Sequence, residues 1–179
     1  MALETRGRAA TVLQEGAPVA WRHVRATDLL DAAALKKLLD PRLLKKFSAG
    51  STIVPQDAVR EVAIQLLWKG TAKAVRVSPG KPETFFGFVN EGSIFGETAY
   101  LQEAHAGSSV VAVTECVIYN LPGPWLDGLF EMDRLLGGQF FELVCLVLLE
   151  RSVLQEELVF NDNVKGKEEV EDDDDLEGL

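Results

Sequence analysis

The chain has 179 residues, of which 47% are hydrophobic, so it is long enough to bury the core of one domain and leave tails beside it. Its net charge is −10 at pH 7 and its pI is about 4.7, which creates a field that repels nucleic acids and anionic lipid surfaces. This composition disfavours nucleic acid and membrane as partners, and it favours small molecules or proteins.

Two features of the sequence predict a soluble protein of the cytoplasm. The first residues lack a basic flank followed by an apolar stretch of signal-peptide length, and no run approaches the roughly 18 apolar residues of a membrane span. The two cysteines, Cys116 and Cys145, lack metal-ligand spacing, and both are expected to be buried free thiols in a reducing compartment. Neither a metal nor a cofactor is expected.

The first part of the chain is predicted to be a tail followed by helices. Residues 1–26 show no clear period, although Trp21 and Val24 are placed to pack onto the domain. From residue 27, apolar residues at helical spacing predict a helix that Pro41 interrupts, and the apolar residues of 43–47 resume the same stripe. We therefore expect one broken helix or two short ones.

Beyond Phe47 the pattern changes to short apolar segments separated by Gly, Pro and Asn, which is typical of an antiparallel sandwich or barrel. The clearest alternation has Val62, Ile64 and Leu66 on one face of a strand. Strands are predicted at about residues 51–54, 61–68, 70–77, 84–90, 109–113 and 116–121.

A turn-rich segment interrupts these strands and is the main functional candidate. It reads Gly92-Ser93-Ile94-Phe95-Gly96-Glu97-Thr98-Ala99-Tyr100-Leu101 and resumes after a short loop as Ala106-Gly107-Ser108-Ser109-Val110-Val111-Ala112. Two glycines, an acid and a small-residue turn between apolar strands leave backbone N–H groups free to meet a phosphate. The pattern predicts a phosphate-binding cassette.

After the strands, the chain is predicted to be helical and then disordered. A Pro-Gly-Pro turn at residues 122–124 ends the last strand, and the apolar residues of 125–130 begin a helix. The pair Gly137-Gly138 is expected to break this helix, and a second helix is expected from about residue 139 to 158. Residues 159–179 are rich in acids, so they are predicted to form a disordered acidic tail.

The candidate segment resembles the phosphate-binding cassette of the cyclic nucleotide-binding domain family. The usual form of that cassette is Phe-Gly-Glu, two or three small or apolar residues, a loop, and Arg-Ala before a small residue and an apolar strand. Phe95-Gly96-Glu97 matches its beginning, and with the flanking helices the resemblance covers about residues 27–158. It implies an α+β fold, an antiparallel β-roll or jelly roll of about eight short strands flanked by N- and C-terminal helices.

The resemblance also implies roles for the first half of the cassette. Gly96 is the glycine that allows close approach of the ligand, and Glu97 accepts a hydrogen bond from a ribose 2′-hydroxyl. Thr98 and Ala99 donate backbone N–H groups to the phosphate. The tight Gly-Asp turn of the family appears here as Pro55-Gln56-Asp57-Ala58, so this turn is expected to be reshaped.

The second half of the cassette departs from the family. Ala106 falls where the phosphate-binding arginine is usual, Ser109 falls where a small hydroxyl residue is usual, and Gly107 and Ser108 complete the candidate ligand-binding set. Losing a bidentate guanidinium removes a contact worth about 1.5–3 kcal/mol, which weakens phosphate binding by a decade or more. His105 is weighed as a substitute cation against a solvent-facing loop residue. The small-residue run resembles an arginine-lacking branch of the family in protist signalling proteins.

Two functions remain in competition. The first is a non-enzymatic regulatory or signalling module that takes a cyclic nucleotide in an unusual way, or a different small molecule such as a nucleoside. The second is a ligand-free scaffold that holds a protein partner through its C-terminal helices. An enzyme is disfavoured because His23, His105 and the cysteines lack catalytic spacing. A DNA-binding transcription factor is disfavoured because the acidic tail would repel DNA.

Overall fold

The computed structural model describes most of the chain. The described residues are 24–58, 62–102 and 105–171, and for residues 153–171 the description covers the backbone alone. Three of the sequence predictions concern residues outside these ranges: those for Trp21, for most of the N-terminal tail and for residues 172–179 of the acidic tail.

Short helices open the described chain. They are α1 at Ala26–Leu29, α2 at Ala32–Leu38 and a 3-10 turn at Pro41–Leu43. Asp31 starts α2 because its carboxylate accepts a hydrogen bond of 2.8 Å from the backbone N–H of Ala34, a donor that the helix leaves free. Val24 is already buried against the domain, so the packed part of the chain begins before residue 27.

The residues after the 3-10 turn form a strand, β1 at Leu44–Phe47, where the sequence predicted a resumed helix. That prediction was wrong because apolar residues three apart in a four-residue segment fit a short helix and a twisted edge strand equally well. Pairing decides the outcome: Leu44 lies opposite Tyr119 and Phe47 opposite Cys116 in an antiparallel ladder.

Within the described residues, eight strands form two four-stranded antiparallel sheets, which confirms the predicted β-roll. The seven strands after β1 are β2 at Thr52–Val54, β3 at Ala63–Lys69, β4 at Ala72–Arg76, β5 at Thr84–Val89, β6 at Ile94–Phe95, β7 at Ser109–Ala112 and β8 at Cys116–Pro122. One sheet has the order β1-β8-β3-β6 and the other β2-β7-β4-β5. The six strands predicted from the sequence correspond to β2, β3, β4, β5, β7 and β8.

The two faces of β3 divide the apolar core into two parts. Ile64 and Leu66 pack against the helices, whereas Leu67 packs between the sheets. Because side chains alternate along a strand, Ala63 and Gln65 share the face of Leu67. Gln65 is therefore a polar side chain, only 9% exposed, on the interior face of the roll.

Two helices follow the roll, α4 at Gly123–Met132 and α5 at Arg134–Glu171. The predicted break at Gly137-Gly138 was wrong, because α5 runs through both glycines. The chain turns instead at Asp133, whose carboxylate accepts a hydrogen bond of 3.1 Å from the backbone N–H of Leu136. Gly137 lets the helices approach closely, since a Cβ there would lie 3.1 Å from the Cβ of Phe130.

The backbone of α5 differs from the expected tail, and one thiol differs from its expected burial. Residues 159–171 are helical in the structure, whereas the sequence predicted disorder from residue 159. Lys and Glu have favourable helix propensity, so they can extend a helix that packing has already nucleated. Cys116 is buried as predicted, but Cys145 is exposed on α5. Within the described ranges, none of the helices combines the length and the hydropathy of a membrane span.

Candidate functional site

A cavity of about 1460 Å³ lies between the two sheets at the cassette. The short helical turn of the cassette is α3 at Glu97–Gln102, between β6 and β7. Seven predicted ligand-binding residues line the cavity: Gly96, Glu97, Thr98, Ala99, Ala106, Gly107 and Ser108. Ser109, the eighth, is outside the lining. The fold therefore gathers the cassette residues around one space, and their contacts with a ligand stay a prediction.

Gly96 brings the cassette backbone against the floor of the cavity. Its φ is +85°, in the left-handed region that favours glycine. A Cβ at this position would lie 2.5 Å from Oε1 of Gln65 and 2.6 Å from the backbone oxygen of Ala63. Both the dihedral angle and the available space therefore require glycine here.

Glu97 is the most buried charged side chain of the cassette, with 1% of its surface exposed. Its Oε1 accepts hydrogen bonds from the hydroxyl of Thr98 at 3.2 Å and from the guanidinium of Arg151. Its Oε2 has no hydrogen-bond partner among the described residues. Leaving a buried acceptor unpaired costs about 1–3 kcal/mol, so a hydrogen-bond donor that reaches this oxygen would be favoured.

Arg151 is a neighbour of the site that sequence analysis missed. It lies on α5, 54 residues after Glu97, and it also donates a hydrogen bond of 2.7 Å to the backbone oxygen of Ile94. Its guanidinium thereby joins the C-terminal helix to the cassette and to the strand before it. No local spacing marks this arginine, because the helix and the cassette meet only when the domain has folded.

A pair of carboxamides forms the polar floor of the cavity. Gln65 and Asn120 lie opposite each other in the register of β3 and β8, and Nε2 of Gln65 donates to Oδ1 of Asn120 at 3.2 Å. Oε1 of Gln65 is buried without a partner among the described residues. Both side chains line the cavity. An interior with these groups suits a ligand that donates hydrogen bonds better than a purely apolar ligand.

The turn after β2 fixes the loop that carries Ala106. Asp57 adopts a φ of 59°, and its backbone N–H donates to the oxygen of Ala106 at 2.9 Å. Aspartate tolerates this left-handed conformation better than most residues, so it takes the place of the glycine that is usual in such a turn. The N–H of Gln56 donates to the hydroxyl of Ser109 at 2.9 Å, which engages Ser109 with this turn instead of the cavity.

The cavity lacks a cation at the position where the family carries its arginine. Ala106 contributes no charge to the lining, and the neighbouring His105 is exposed and outside the lining. Across the described ranges, no group of three or more His, Cys, Asp or Glu side chains is placed to hold a metal ion. Any anionic ligand therefore needs a positive partner from another part of the roll.

A hydrogen bond links the cassette to the helices that follow the roll. The hydroxyl of Tyr100, on α3, donates to Oδ1 of Asp127, on α4. Burial, with a further contribution from this bond, raises the pKa of Tyr100 well above its usual value near 10. The ring of Tyr100 also lies 3.3 Å from where a Cβ of Gly123 would be, at the start of α4. A displacement of α3 would therefore reach α4 directly.

The comparison with protein families agrees with the fold and the cassette. The model of the cyclic nucleotide-binding domain matches residues 44–133, which is half of the chain and includes all eight described strands. The chain belongs to the cyclic nucleotide-binding domain family. Among curated proteins, no sequence match is found.

Solved structures show the same fold at low sequence identity. The catabolite activator protein of Thermus thermophilus has 22% identity and a TM-score of 0.59, over 73% of this chain and 61% of that one. A cyclic nucleotide-binding domain from Methylobacillus flagellatus KT has 15% identity and a TM-score of 0.66, over 74% of both chains. The regulatory subunit of a cAMP-independent protein kinase A from Trypanosoma brucei has 20% identity and a TM-score of 0.55, over 73% and 46%. This chain thus spans less than two thirds of the Thermus and Trypanosoma proteins.

Proposed function

We propose that the chain is a non-enzymatic regulatory module that takes a small ligand in the roll cavity without the phosphate-binding arginine that is usual in its family. The observation that carries this proposal is the state of Glu97, a buried carboxylate that lines the cavity and keeps one oxygen without a partner among the described residues. This carboxylate supports a role as the acceptor for a sugar-like hydroxyl, whereas the methyl side chain of Ala106 cannot pair with a phosphate. Binding of cAMP or cGMP in the usual way is not part of the proposal.

The polar floor supports, as the proposed ligand, a small molecule with hydrogen-bond donors, of the nucleoside or nucleotide class. Oε1 of Gln65 and Oε2 of Glu97 are both buried acceptors, and both side chains line one cavity. A ligand hydroxyl or amino group satisfies such acceptors, whereas an apolar ligand leaves them unpaired. The Trypanosoma protein of the same fold is described as the regulatory subunit of a cAMP-independent protein kinase A, which supports considering ligands beyond cyclic nucleotides.

Regulation would pass from the cavity to the C-terminal helices, where a protein partner would bind. Glu97 binds Arg151 of α5, so a ligand at the other oxygen of the same carboxylate would shift the position of the group to which this arginine is bound. The bond between Tyr100 and Asp127 gives a second connection, to α4. Ligand occupancy and the placement of these helices are therefore coupled in the proposal.

A ligand-free scaffold is the second candidate, because a side chain of the protein itself already binds one oxygen of Glu97. Arg151 fills that place and ties α5 to the cassette. Near the junction of α4 and α5, Met132 and Leu135 are 82% and 74% exposed, which offers apolar surface to a protein partner. In this version the fold serves as a rigid support for that surface.

The experiment is a thermal-shift screen and calorimetric titration of the protein with cAMP, cGMP, adenosine and guanosine. We expect saturable binding of at least one of these probes and its loss in Glu97→Gln, which keeps the side-chain shape and removes the charge. Glu131→Gln, at an exposed acid of α4, is the matched control and is expected to bind like the wild type. If none of the four probes binds more tightly than about millimolar, the ligand version fails and the scaffold is favoured.

A further inference from the structure

We propose that Arg76, on the strand beside the cassette loop, supplies the anion contact that Ala106 cannot make. The cavity then takes a ligand that carries a phosphate or another small anionic group. This inference rests on the proposed ligand-binding function and adds the charge of the ligand. Arg76 lies at the end of β4, 30 residues before the cassette loop, so the cassette motif does not include it.

The pairing of β4 with β7 places Arg76 beside the cassette loop. Val75 pairs with Ser109 in this antiparallel ladder. One further step in the same register puts Arg76 opposite Ser108, two residues after Ala106. Opposite residues of an antiparallel pair have Cβ atoms about 4.5–5.5 Å apart and point to the same face. The backbone of Arg76 therefore lies on the strand next to the loop in which the family has its arginine.

Arg76 also lies on the interior face of the roll. Ala72 belongs to the core cluster between the sheets, and alternation along β4 places Ala74 and Arg76 on the same face. Both of these residues line the cavity. Gly87 lies opposite Ala74 on the neighbouring strand β5. Ala74 and Gly87 thus take up little space on the cavity side of the sheet near Arg76.

The guanidinium of Arg76 is available to a ligand anion. No ion pair or hydrogen bond of this group is found within the described residues, whereas Arg42 pairs with Asp40 and Arg151 pairs with Glu97. A planar guanidinium binds phosphate through two parallel hydrogen bonds, which makes arginine the suitable side chain for this contact. Arg76 is exposed, so it keeps its hydration until an anion displaces the water.

The contacts at Arg76 and Glu97 complement each other. Glu97 offers a buried acceptor for a hydroxyl, and Arg76 offers a cation at the side of the cassette loop. A single molecule with a hydroxyl and an anionic group satisfies both. The site therefore keeps the positive charge that a nucleotide requires, but this charge comes from β4 instead of the loop before β7.

The test is calorimetric titration of the wild type, Arg76→Gln and Arg42→Gln with cAMP and with adenosine as the uncharged probe. We expect the Kd of cAMP to rise at least about tenfold in Arg76→Gln and to stay within about twofold in Arg42→Gln, because only the first loses a charged contact to phosphate. Adenosine is expected to bind all three proteins equally. Arg76→Lys is expected to fall between the wild type and Arg76→Gln, because the charge stays while the two parallel bonds are lost.

Each other result overturns the inference in a recognisable way. An unchanged Kd of cAMP in Arg76→Gln shows that the arginine does not meet the anion. An equal loss of cAMP and adenosine shows that Arg76 only shapes the cavity. If adenosine binds the wild type and cAMP does not, the anion contact fails while the proposed function stands. If neither probe binds, both fail.

Discussion

A side chain at Gly96 is excluded in two ways, by the φ of +85° and by the oxygens of Gln65 and Ala63 that a Cβ would meet. Gly50 has a similar φ of +82°, but a Cβ there would meet nothing within 4 Å. A comparison of substitutions at these two positions therefore distinguishes backbone strain, which both share, from a steric clash, which occurs only at Gly96. Only the clash at Gly96 involves the cavity, because Gln65 belongs to its floor.

We predict that Gly96→Ala destabilises the domain much more than Gly50→Ala. The left-handed conformation costs alanine about 1–2 kcal/mol at either position, and the clash adds about 1–3 kcal/mol at Gly96 alone. Urea unfolding followed by circular dichroism measures both free energies of unfolding. Equal losses in the two variants would show that Gln65 and Ala63 can move aside, and the close approach at the cassette would then be wrong.

At the scale of elements, the junction of α4 and α5 explains why two adjacent glycines do not end a helix. Gly137 lies against Phe130 of α4, whereas a Cβ at Gly138 would meet nothing within 4 Å. The packing of one helix on the other stabilises α5 enough to keep both glycines helical. Gly137 therefore serves close packing, and the structure shows no such contact for Gly138.

We predict that Gly138→Ala stabilises the protein by about 0.5–1 kcal/mol, because alanine lowers the conformational entropy of the unfolded chain and fits the helix without a clash. Gly137→Ala is expected to gain nothing or to destabilise, since Phe130 must shift to accept a Cβ at 3.1 Å. Thermal unfolding of both variants measures the difference. A gain of similar size at both positions would contradict the close contact between the helices.

Charge pairs between distant elements make the stability of the whole domain depend on pH. Lys37 of α2 binds Asp133, the residue between α4 and α5. This bond, together with the N–H of Leu136, lowers the pKa of Asp133 below its usual value near 3.9. A lowered carboxyl pKa means that the unfolded chain binds the proton more tightly. The pair therefore stabilises the domain above pH 4, and this stabilisation is lost as the pH falls below it.

We predict that Asp133→Asn is less stable than the wild type at about pH 6 and that the difference shrinks towards about pH 3. Asp28→Asn, at an exposed acid of α1, is the control for replacing a surface carboxylate by an amide. Urea unfolding at several pH values gives the free energies. A pH-independent difference for Asp133→Asn would show that its bond to Lys37 does not form in solution.

Local patterns predicted most of the fold, and tertiary pairing accounts for the rest. The alternation in residues 61–68 and the turn residues identified the strands, because a half-buried sheet imposes a period of two on the sequence. Residues 44–47 were assigned to a helix because four residues carry too little periodicity, and their pairing with β8 decides the outcome. The predicted helix break at Gly137-Gly138 was wrong because the contact between Gly137 and α4 overrides the low helix propensity of glycine.

The site was predictable only where one continuous segment carries it. Gly96 and Glu97 stand in the cassette motif, so their places beside the cavity follow from the sequence. Gln65, Arg76 and Arg151 reach the same cavity from β3, β4 and α5, and no spacing along the chain links them to the cassette. Their contribution depends on strand register and helix packing, which appear only in the folded domain.

The central claim is that the cavity binds a ligand although it lacks the usual arginine. Its most direct test is a calorimetric titration of Ala106→Arg and of the wild type with cAMP. Ala106 lines the cavity, so an arginine there returns a bidentate partner for a phosphate at the position where the family carries one. We expect Ala106→Arg to bind cAMP at least about tenfold more tightly than the wild type. No gain in affinity, in a variant that remains folded, would contradict a cavity that places a ligand phosphate beside residue 106.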